Sequence, residues 1–241
     1  PAAATAAGGG QSVNVQNAVS TSTPLDELQL VADTEMGELY IDGSGLLTFR
    51  RRNGIFLDAR SNTSQATFGD NTAGGENGYG NVTVTYDFAT LYNGASIANQ
   101  GGTVQAAFDA ASQATFGVAS IFDSESLIAD GDFQSLGYAQ HVVLVSKDPE
   151  LRFSDITLLP RRDPADLFPQ ALGRQIGDRI TIIRRPPGGG SAITRDVFIR
   201  GITHTFTSKT WVTTWVLEDA TNLPSPLIWG TGQWGVDKWG F

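Results

Sequence analysis

The 241-residue sequence contains no cysteine, two histidines and one methionine. The absence of cysteine excludes disulfides, thiolate nucleophiles and zinc–cysteine sites. No apolar run approaches the roughly 20 residues that a membrane-spanning helix requires, and the N-terminus lacks the basic, apolar-cored pattern of a secretory signal. We therefore expect a soluble chain without thiol chemistry.

Positive charge is also scarce, with 16 Lys and Arg against 25 Asp and Glu and a formal net charge of −9. This balance argues against nucleic-acid binding, which relies on clustered Lys and Arg to neutralise phosphates. The local exception is Arg50, Arg51 and Arg52, at the end of a predicted strand. We interpret these arginines as a solvated strand end or as ion-pairing partners in an assembly.

Motifs for nucleophilic or cofactor chemistry are missing, including the nucleophile elbow, the zinc-protease helix, the P-loop and the dinucleotide fingerprint. His141 and His204 fall in different predicted elements and share no metal-ligand spacing, so both are interpreted as structural. We predict no catalytic residue, no cofactor and no metal site, and a chain that is not an enzyme.

One group of carboxylates leaves two alternatives open. Asp123, Glu125, Asp130 and Asp132 cluster in sequence and could suggest a calcium loop or the carboxylate pair of a glycoside hydrolase. They do not follow the ligand pattern of an EF-hand, and two of them precede a predicted helix. Capping or solvation is therefore the favoured interpretation.

Residues 177–219 hold three β-type runs and predict an antiparallel sheet. Ile180 and Ile182 share one face of the first run, and the Pro/Gly segment 186–190 is a loop. In the second run, most large apolar residues occupy odd-numbered positions before Gly201 and even-numbered positions after it. This change of face predicts a β-bulge at Gly201. The third run alternates from Trp211 to Leu217 with bulk on both faces, so we expect the sheet to be covered on both sides.

A helix followed by a hairpin is predicted near the N-terminus. Thr23 is a natural N-cap, Pro24 occupies the first helical position and Asp26 completes a capping box. The helix should span residues 24–34, with one apolar stripe lying on the hairpin. The hairpin turns at residues 42–45.

The remaining segments are assigned from local patterns. Residues 1–20 predict a flexible linker, and residues 61–80 an exposed loop. The other predicted elements are strands at 81–88, 91–99, 115–122 and 151–159, a helical turn at 106–112, a helix from Asp130 or Asp132 to about 147, and a helix from 164 to about 173.

The C-terminal segment is rich in aromatic residues. Trp229, Trp234 and Trp239 are each followed by glycine with a period of five, and the chain ends at Phe241. A period of five fits neither helix nor strand, which predicts an extended tail that needs a partner if it is exposed. Burial against another subunit is the favoured interpretation, and a sugar-binding platform is the alternative.

Two blocks of the chain share the pattern of one known family. The first block is LDELQLVADTEMGELYIDGSGLLTFRRR, and the second contains IGDRITIIRRPPGGG, GITHTF and WVTTWVL. Together they resemble the minor tail proteins of siphophages, in particular those of actinobacteria. They cover roughly residues 24–52 and 176–217, and their order and separation also fit the family.

The resemblance implies the tail-hub fold: α+β, mostly antiparallel β, with a small β-barrel and an inserted α+β module. The barrel's opening strands would then lie upstream of residue 1. The expected segments are a linker at 1–22, the α+β module at 23–165, barrel strands at 166–220 and the tail at 221–241.

Such proteins form a ring, commonly a homotrimer, at the tail tip of the virion after synthesis in the host cytoplasm. The resemblance therefore implies a non-catalytic role, with further copies of the chain and tail-tube, tape-measure, tip or fibre proteins as partners. A carbohydrate-recognising receptor-binding module that uses the C-terminal tryptophans on host-surface glycans is the alternative.

Overall fold

The computed structural model describes residues 5–6, 23–51, 54, 58–86, 91–118, 121–128 and 131–220, with only the backbone at 5–6 and 121–127. The chain forms two compact units. One comprises Pro1–Gly54, Asp87–Glu150 and Pro224–Phe241, and the other Ile55–Tyr86 and Leu151–Leu223. Within the described part of the chain, no helix has the length and apolar character to cross a membrane.

The elements follow one another in chain order as β1 (Thr5–Ala6), α1 (Pro24–Thr34), β2 (Glu38–Ile41), β3 (Leu47–Arg50), α2 (Ala59–Asn62), β4 (Thr67–Gly69), a 3₁₀ turn (Thr72–Gly74), β5 (Asn77–Gly78), β6 (Asn81–Tyr86), β7 (Gly94–Asn99), β8 (Gln105–Phe108), α3 (Ala110–Phe116), β9 (Ile121–Leu127), α4 (Asp132–Ser146), β10 (Leu151–Leu158), α5 (Pro164–Gly173), β11 (Arg179–Arg184), β12 (Ile193–Phe206) and β13 (Trp211–Asp219).

The predicted helix–hairpin of the first unit is confirmed. The Asp26 N–H donates to Thr23 Oγ1 at 3.3 Å and the Thr23 N–H donates to the Asp26 carboxylate at 2.9 Å, which completes the capping box. In the hairpin turn, the Asp42 carboxylate accepts from the Ser44 hydroxyl at 2.7 Å and from the N–H groups of Leu46 and Ser44. These bonds lower the pKa of Asp42 and fix the turn, in which Gly45 has φ +84°.

The packing of α1 differs from the expectation. Only Ala32 of its apolar stripe is buried, whereas Leu25 is 61% exposed and Leu28 is 43% exposed. The expectation that the apolar stripe lies on the hairpin was therefore wrong for Leu25 and Leu28.

The first unit also contains a three-stranded sheet of order β8–β7–β9, packed against α4. The buried face of α4 carries Ser135, Ala139 and Val143, whereas Phe133 is 74% exposed. Small residues on the helix allow close approach to Ala95 on β7.

Two local assignments in this unit were wrong. Residues 105–108 form a strand and residues 110–116 a helix, whereas the sequence patterns predicted a helical turn at 106–112 and a strand from 115. The Asp109 carboxylate accepts from the Ser112 N–H at 2.8 Å and begins the helix there. Thr115 Oγ1 donates to the Ala111 carbonyl within it.

The second unit is built on a seven-stranded sheet of order β5–β4–β11–β12–β13–β10–β6. The pairs from β11 through β6 are antiparallel, and β4 and β5 add in parallel. The three predicted strands of residues 177–219 are confirmed, and the register shift between Ile199 and Gly201 confirms the bulge. The predicted α+β class with mostly antiparallel strands is confirmed.

This sheet is strongly curled. Its two edge strands, β5 and β6, are separated in the chain by Tyr79 and Gly80 alone. That connection spans at most about 11 Å, whereas the edges of a flat seven-stranded sheet would lie roughly 29 Å apart. Across the interior, the rings of Phe68 on β4 and Trp215 on β13 meet edge to face with centroids 5.3 Å apart.

The described strands do not complete a closed barrel, because β5 and β6 do not pair with each other. The edges meet only where the chain passes from one to the other. There the Gly80 N–H donates to the Thr157 carbonyl at 2.7 Å, and a Cβ on Gly80 would lie 3.1 Å from the Leu159 side chain. Glycine thus permits the close approach at this bend.

The interior of the curled sheet is the core of the unit, and its fully buried members include Phe68, Phe153, Ile156, Ile180, Ile182, Ile199 and Trp215. It draws on β6 and β10 as well as on β11–β13. The predicted inner face from Trp211 to Leu217 is buried. The expectation of cover on both faces was wrong at Val216, which is 53% exposed.

The predicted exposed loop at 61–80 was wrong in part. Ser61 and Phe68 are buried, and residues 67–69 form the strand β4 beside β11. Residues 71–75 are exposed as expected. Phe68 is a single aromatic residue among polar neighbours, so the local pattern did not show its burial.

Candidate functional site

The hairpin between β12 and β13 ends in a tight turn at one end of the curled sheet. The Thr207 N–H donates to the Thr210 carbonyl at 2.8 Å, and the two threonine hydroxyls lie 2.6 Å apart. Phe206 and Trp211 flank the turn as directly opposed residues. The turn therefore holds two aromatic side chains side by side on the same face of the sheet.

These two rings form the centre of an aromatic cluster. The Phe206 and Trp211 centroids are 5.3 Å apart and nearly parallel, and His204 lies 5.9 Å from Trp211. His204 is held by a 2.9 Å hydrogen bond between Nδ1 and Thr213 Oγ1. Trp211 is 9% exposed and Phe206 is 66% exposed, so the apolar interior continues to the surface here.

Helix α5 adds the other side of the cluster. Its residues Leu167 and Ala171 are buried in the core. Phe168 and Leu172 each follow one of them in the helix, so they lie on the neighbouring side of α5, at the edge of the core. The Phe168 ring lies 5.1 Å from Trp211, and Leu172 is 70% exposed. We call Phe168, Leu172, His204, Phe206 and Trp211 the hairpin-tip surface.

Charged residues adjoin this surface in the neighbouring segments of the fold. The pairing of Leu158 with Thr213 brings the end of β10 next to the start of β13, and the exposed Arg161 and Arg162 follow directly. Lys209 is exposed in the hairpin turn. Asp163 and Asp166 lie at the start of α5, so the rim carries both signs with an excess of cations.

The indole N–H of Trp211 is buried and has no acceptor among the described residues. An unsatisfied buried donor costs roughly 1–3 kcal/mol. Because indole can only donate, the matching group would be a carbonyl or carboxylate oxygen. The hairpin-tip surface therefore exposes the apolar side chains of Phe206 and Leu172 above a buried indole donor that the described residues leave unsatisfied.

A buried ion pair fixes the far end of α5. The Asp178 carboxylate, 1% exposed, accepts from Arg60 at 2.6 and 2.5 Å, and Arg60 Nη2 also donates to the Gly173 carbonyl at 2.8 Å. The Arg174 guanidinium lies 3.7 Å from Asp178. Hydrogen bonding to Asp178 raises the pKa of Arg60. This network ties α2, α5 and β11 together and positions the helix.

A second network anchors the start of the Pro/Gly loop. Arg185 binds Asp70 and Glu76, each at 2.5 Å, and its hydrogen bonds lower the pKa of both carboxyl groups. The Glu76 side chain packs directly against Gly69. A Cβ at position 69 would overlap Glu76 Oε2, so glycine makes room for this carboxylate. Sequence reasoning missed both networks, since their members are more than 100 residues apart in the chain.

The predicted interaction residues fall into two groups. Arg50 on β3 donates to the Glu38 carboxylate on β2 through Nε at 2.9 Å and is an ion-pairing residue within its own hairpin. Arg51 follows as a half-buried residue. The others lie outside the described residues, namely Arg52, Trp229, Trp234, Trp239 and Phe241.

The candidate chemical groups are dispersed. His141 lies within α4 in the first unit and His204 on β12 in the second. Asp132 accepts from the Thr103 N–H at 3.1 Å, and the side chains of Asp123, Glu125 and Asp130 lie outside the described residues. No group of three or more His, Asp or Glu that could hold a metal ion occurs in the part of the chain that the structure describes.

Sequence reasoning found Trp211 as part of an alternating strand but not the surface around it. The signal was present, since Phe206 and Trp211 flank a four-residue polar turn. The contribution of α5 depends on tertiary packing and has no local signature.

Comparison with known proteins gives a fold and no sequence family. No protein-family model matches the chain, and no curated protein matches it significantly. Among solved structures, the 43 kDa tail protein of prophage MuSo2 from Shewanella oneidensis matches with a TM-score of 0.51 and 15% identity, over 84% of this chain and 55% of that one.

The tail protein from Neisseria meningitidis MC58 matches with a TM-score of 0.55 and 13% identity, over 86% of this chain and 58% of that one. The chain thus spans less than two thirds of the length of either protein. Its fold is shared with these two tail proteins.

Proposed function

We propose that the chain is a non-catalytic structural component of a bacteriophage tail. The observation that carries the proposal is the shared fold, which extends over 84% and 86% of the chain in two tail proteins. The resemblance of the two sequence blocks to siphophage minor tail proteins gives independent support. Within the tail, the proposed place is the tip, as part of a hub or baseplate in the virion.

The second unit suits a docking role. Its curled sheet is a rigid scaffold with a fully buried core, and the hairpin-tip surface exposes Phe206 and Leu172 at one end. Exposed apolar surface with a polar rim is typical of protein interaction sites. The proposed partners are further copies of this chain, arranged as a ring of expected threefold symmetry, and tail-tube, tape-measure, tip or fibre proteins.

The proposal includes the small barrel of the tail-hub fold. The curl of the sheet already brings its edges together at Tyr79 and Gly80. The edge strand β6 is six residues long, whereas β5 has two. An added strand along the free part of β6 would close the barrel by backbone hydrogen bonding.

Particles carrying an epitope tag on this chain test the proposal. We expect the tagged chain to remain with intact tails through density-gradient purification and the label to lie at the tail tip in electron micrographs. Native mass measurement of a tip subassembly should give a small integral copy number, with three expected. Particles that lack the chain, or a label along the tail tube, would contradict the proposed place.

A further inference from the structure

We propose that the hairpin-tip surface of one copy binds helix α1 of a second copy. The inference rests on the proposed function for the presence of several copies in one particle. It assigns the two sides of the contact from described residues. The two surfaces are different, so the contact is heterologous and each copy would offer both.

Helix α1 exposes leucines that the described part of its own unit does not cover. Leu25 is 61% exposed and Leu28 is 43% exposed, and residues three apart lie on the same side of a helix. The capping box at Thr23 and Asp26 fixes the helical start beside them. An amphipathic helix with two exposed leucines is the form that inserts into an apolar groove.

The hairpin-tip surface offers apolar area for such a helix. Phe168 and Leu172 on α5 form one side, and Phe206 with Trp211 on the hairpin forms the other. Phe206 and Leu172 are 66% and 70% exposed, the same order of exposure as the leucines of α1. Contact between the two sets would remove apolar area from water on both copies.

The charges of the two surfaces are complementary. Helix α1 contains Asp26, Glu27 and Asp33 and no lysine or arginine. The hairpin-tip rim carries Arg161, Arg162 and Lys209, which form no ion pair among the described residues, against the carboxylates Asp163 and Asp166. In a chain of net charge −9, a rim with an excess of cations favours an acidic partner.

Size determines how strong the contact can be. A stable interface buries about 800 Å² per partner, more than one exposed turn of an 11-residue helix provides. Two free copies should therefore associate weakly. A heterologous contact repeats around a ring, where closure gives each copy two contacts and makes the assembly stronger than one pair.

The absence of cysteine allows a direct test by disulfide cross-linking. Two single-cysteine variants, Leu28→Cys and Phe206→Cys, are mixed at high concentration under mild oxidation. We expect a cross-linked dimer in the mixture at least fivefold above the yield of either variant alone. Because each copy carries one cysteine, an intramolecular disulfide cannot form.

The matched control replaces Phe206→Cys by Val216→Cys. Val216 is 53% exposed, but it lies five residues along β13 from Trp211 and on the opposite face of the strand. Equal yields with Val216→Cys and with Phe206→Cys would overturn the inference. A larger dimer yield from Phe206→Cys alone than from the mixture would also overturn it, since the hairpin-tip surfaces would then bind each other.

Charge gives a second readout. The substitutions Arg161→Glu and Arg162→Glu, added to Phe206→Cys, should lower the cross-linking yield at least threefold, and added salt should lower the yield of the parent pair. An unchanged yield would overturn an acidic helix as the partner. Circular dichroism melting confirms that each variant is folded, and Leu172→Cys replaces Phe206→Cys if the latter unfolds.

The outcomes separate this inference from the proposed function. A cross-link between copies of a chain that is absent from the particles would leave the contact standing and remove the tail role. A chain that is present at the tail tip but gives no cross-link would remove this contact alone.

Discussion

The carboxylate of Asp178 lies within 2.6 Å of the guanidinium of Arg60, which precedes it by 118 residues in the chain. Asp178 is almost fully buried, whereas Arg60 reaches it from a side chain that is 39% exposed. The same guanidinium donates to the last carbonyl of α5. One arginine therefore holds both a buried charge and the helix that forms half of the hairpin-tip surface.

Replacing Arg60 should destabilise the second unit. Breaking a fully buried pair costs about 3–5 kcal/mol because a charge is left without its partner. Arg60 is partly exposed and Arg174 remains near Asp178, so we expect Arg60→Met to lower the free energy of unfolding by about 2 kcal/mol. Urea denaturation followed by circular dichroism measures the change. The control Arg162→Met should stay within about 0.5 kcal/mol, and equal effects of the two would refute the structural role of the pair.

Two phenylalanines provide a matched test of core and surface. Phe68 is fully buried against Trp215, and Phe206 is 66% exposed. We expect Phe68→Ala to lower the free energy of unfolding by about 3–5 kcal/mol through loss of burial and cavity formation. Phe206→Ala should cost less than about 1 kcal/mol. A large loss of stability at Phe206 would show that its role is structural and would weaken the assignment of a docking surface.

The bend at Gly80 should not tolerate a larger side chain. A Cβ there would lie 3.1 Å from Leu159 and 3.3 Å from the Thr157 carbonyl, at the point where the sheet edges meet. We expect Gly80→Val to destabilise by about 1–3 kcal/mol, as overpacking does elsewhere. The control is Gly188→Ala in the Pro/Gly loop, where nothing lies within 4 Å of an added Cβ. Thermal melts of both variants and the parent measure the effect. If Gly80→Val melted at the same temperature as the parent and the control, the close approach at Gly80 would be contradicted.

The network around Arg185 predicts a dependence of stability on pH. Hydrogen bonds from Arg185 lower the pKa of Glu76 and of Asp70 in the folded protein. A carboxyl group with a lowered pKa stabilises the fold above its unfolded pKa, about 4.3 for Glu, and loses that contribution as the pH falls through its folded pKa. The stability difference between the parent and Glu76→Gln should therefore be present at pH 6 and shrink towards pH 3. Urea midpoints across this range measure it, and a difference independent of pH would refute the ion pair.

Local patterns predicted elements whose signals lie within a few residues. Helix α1 and strands β11 to β13 were predicted because capping residues, strand alternation and turn glycines act through neighbours in the chain. The bulge at Gly201 was predicted because most large apolar residues change from one face of the strand to the other there. In contrast, β8 and α3 were misassigned. Alanine favours helix, but residues 105–108 form a strand because they pair with β7, and Asp109 sets the start of α3 after them.

The sequence by itself determined helix α1, strands β6 and β10 to β13 of the second unit and the lack of thiol chemistry, because these depend on composition and short-range periodicity. Only the tertiary structure decided that β4 joins the sheet, that the sheet curls until its edges meet and that Phe168, Phe206 and Trp211 form one surface. Those features depend on contacts between distant segments, which stabilise the fold through buried area and ion pairing that no local pattern records.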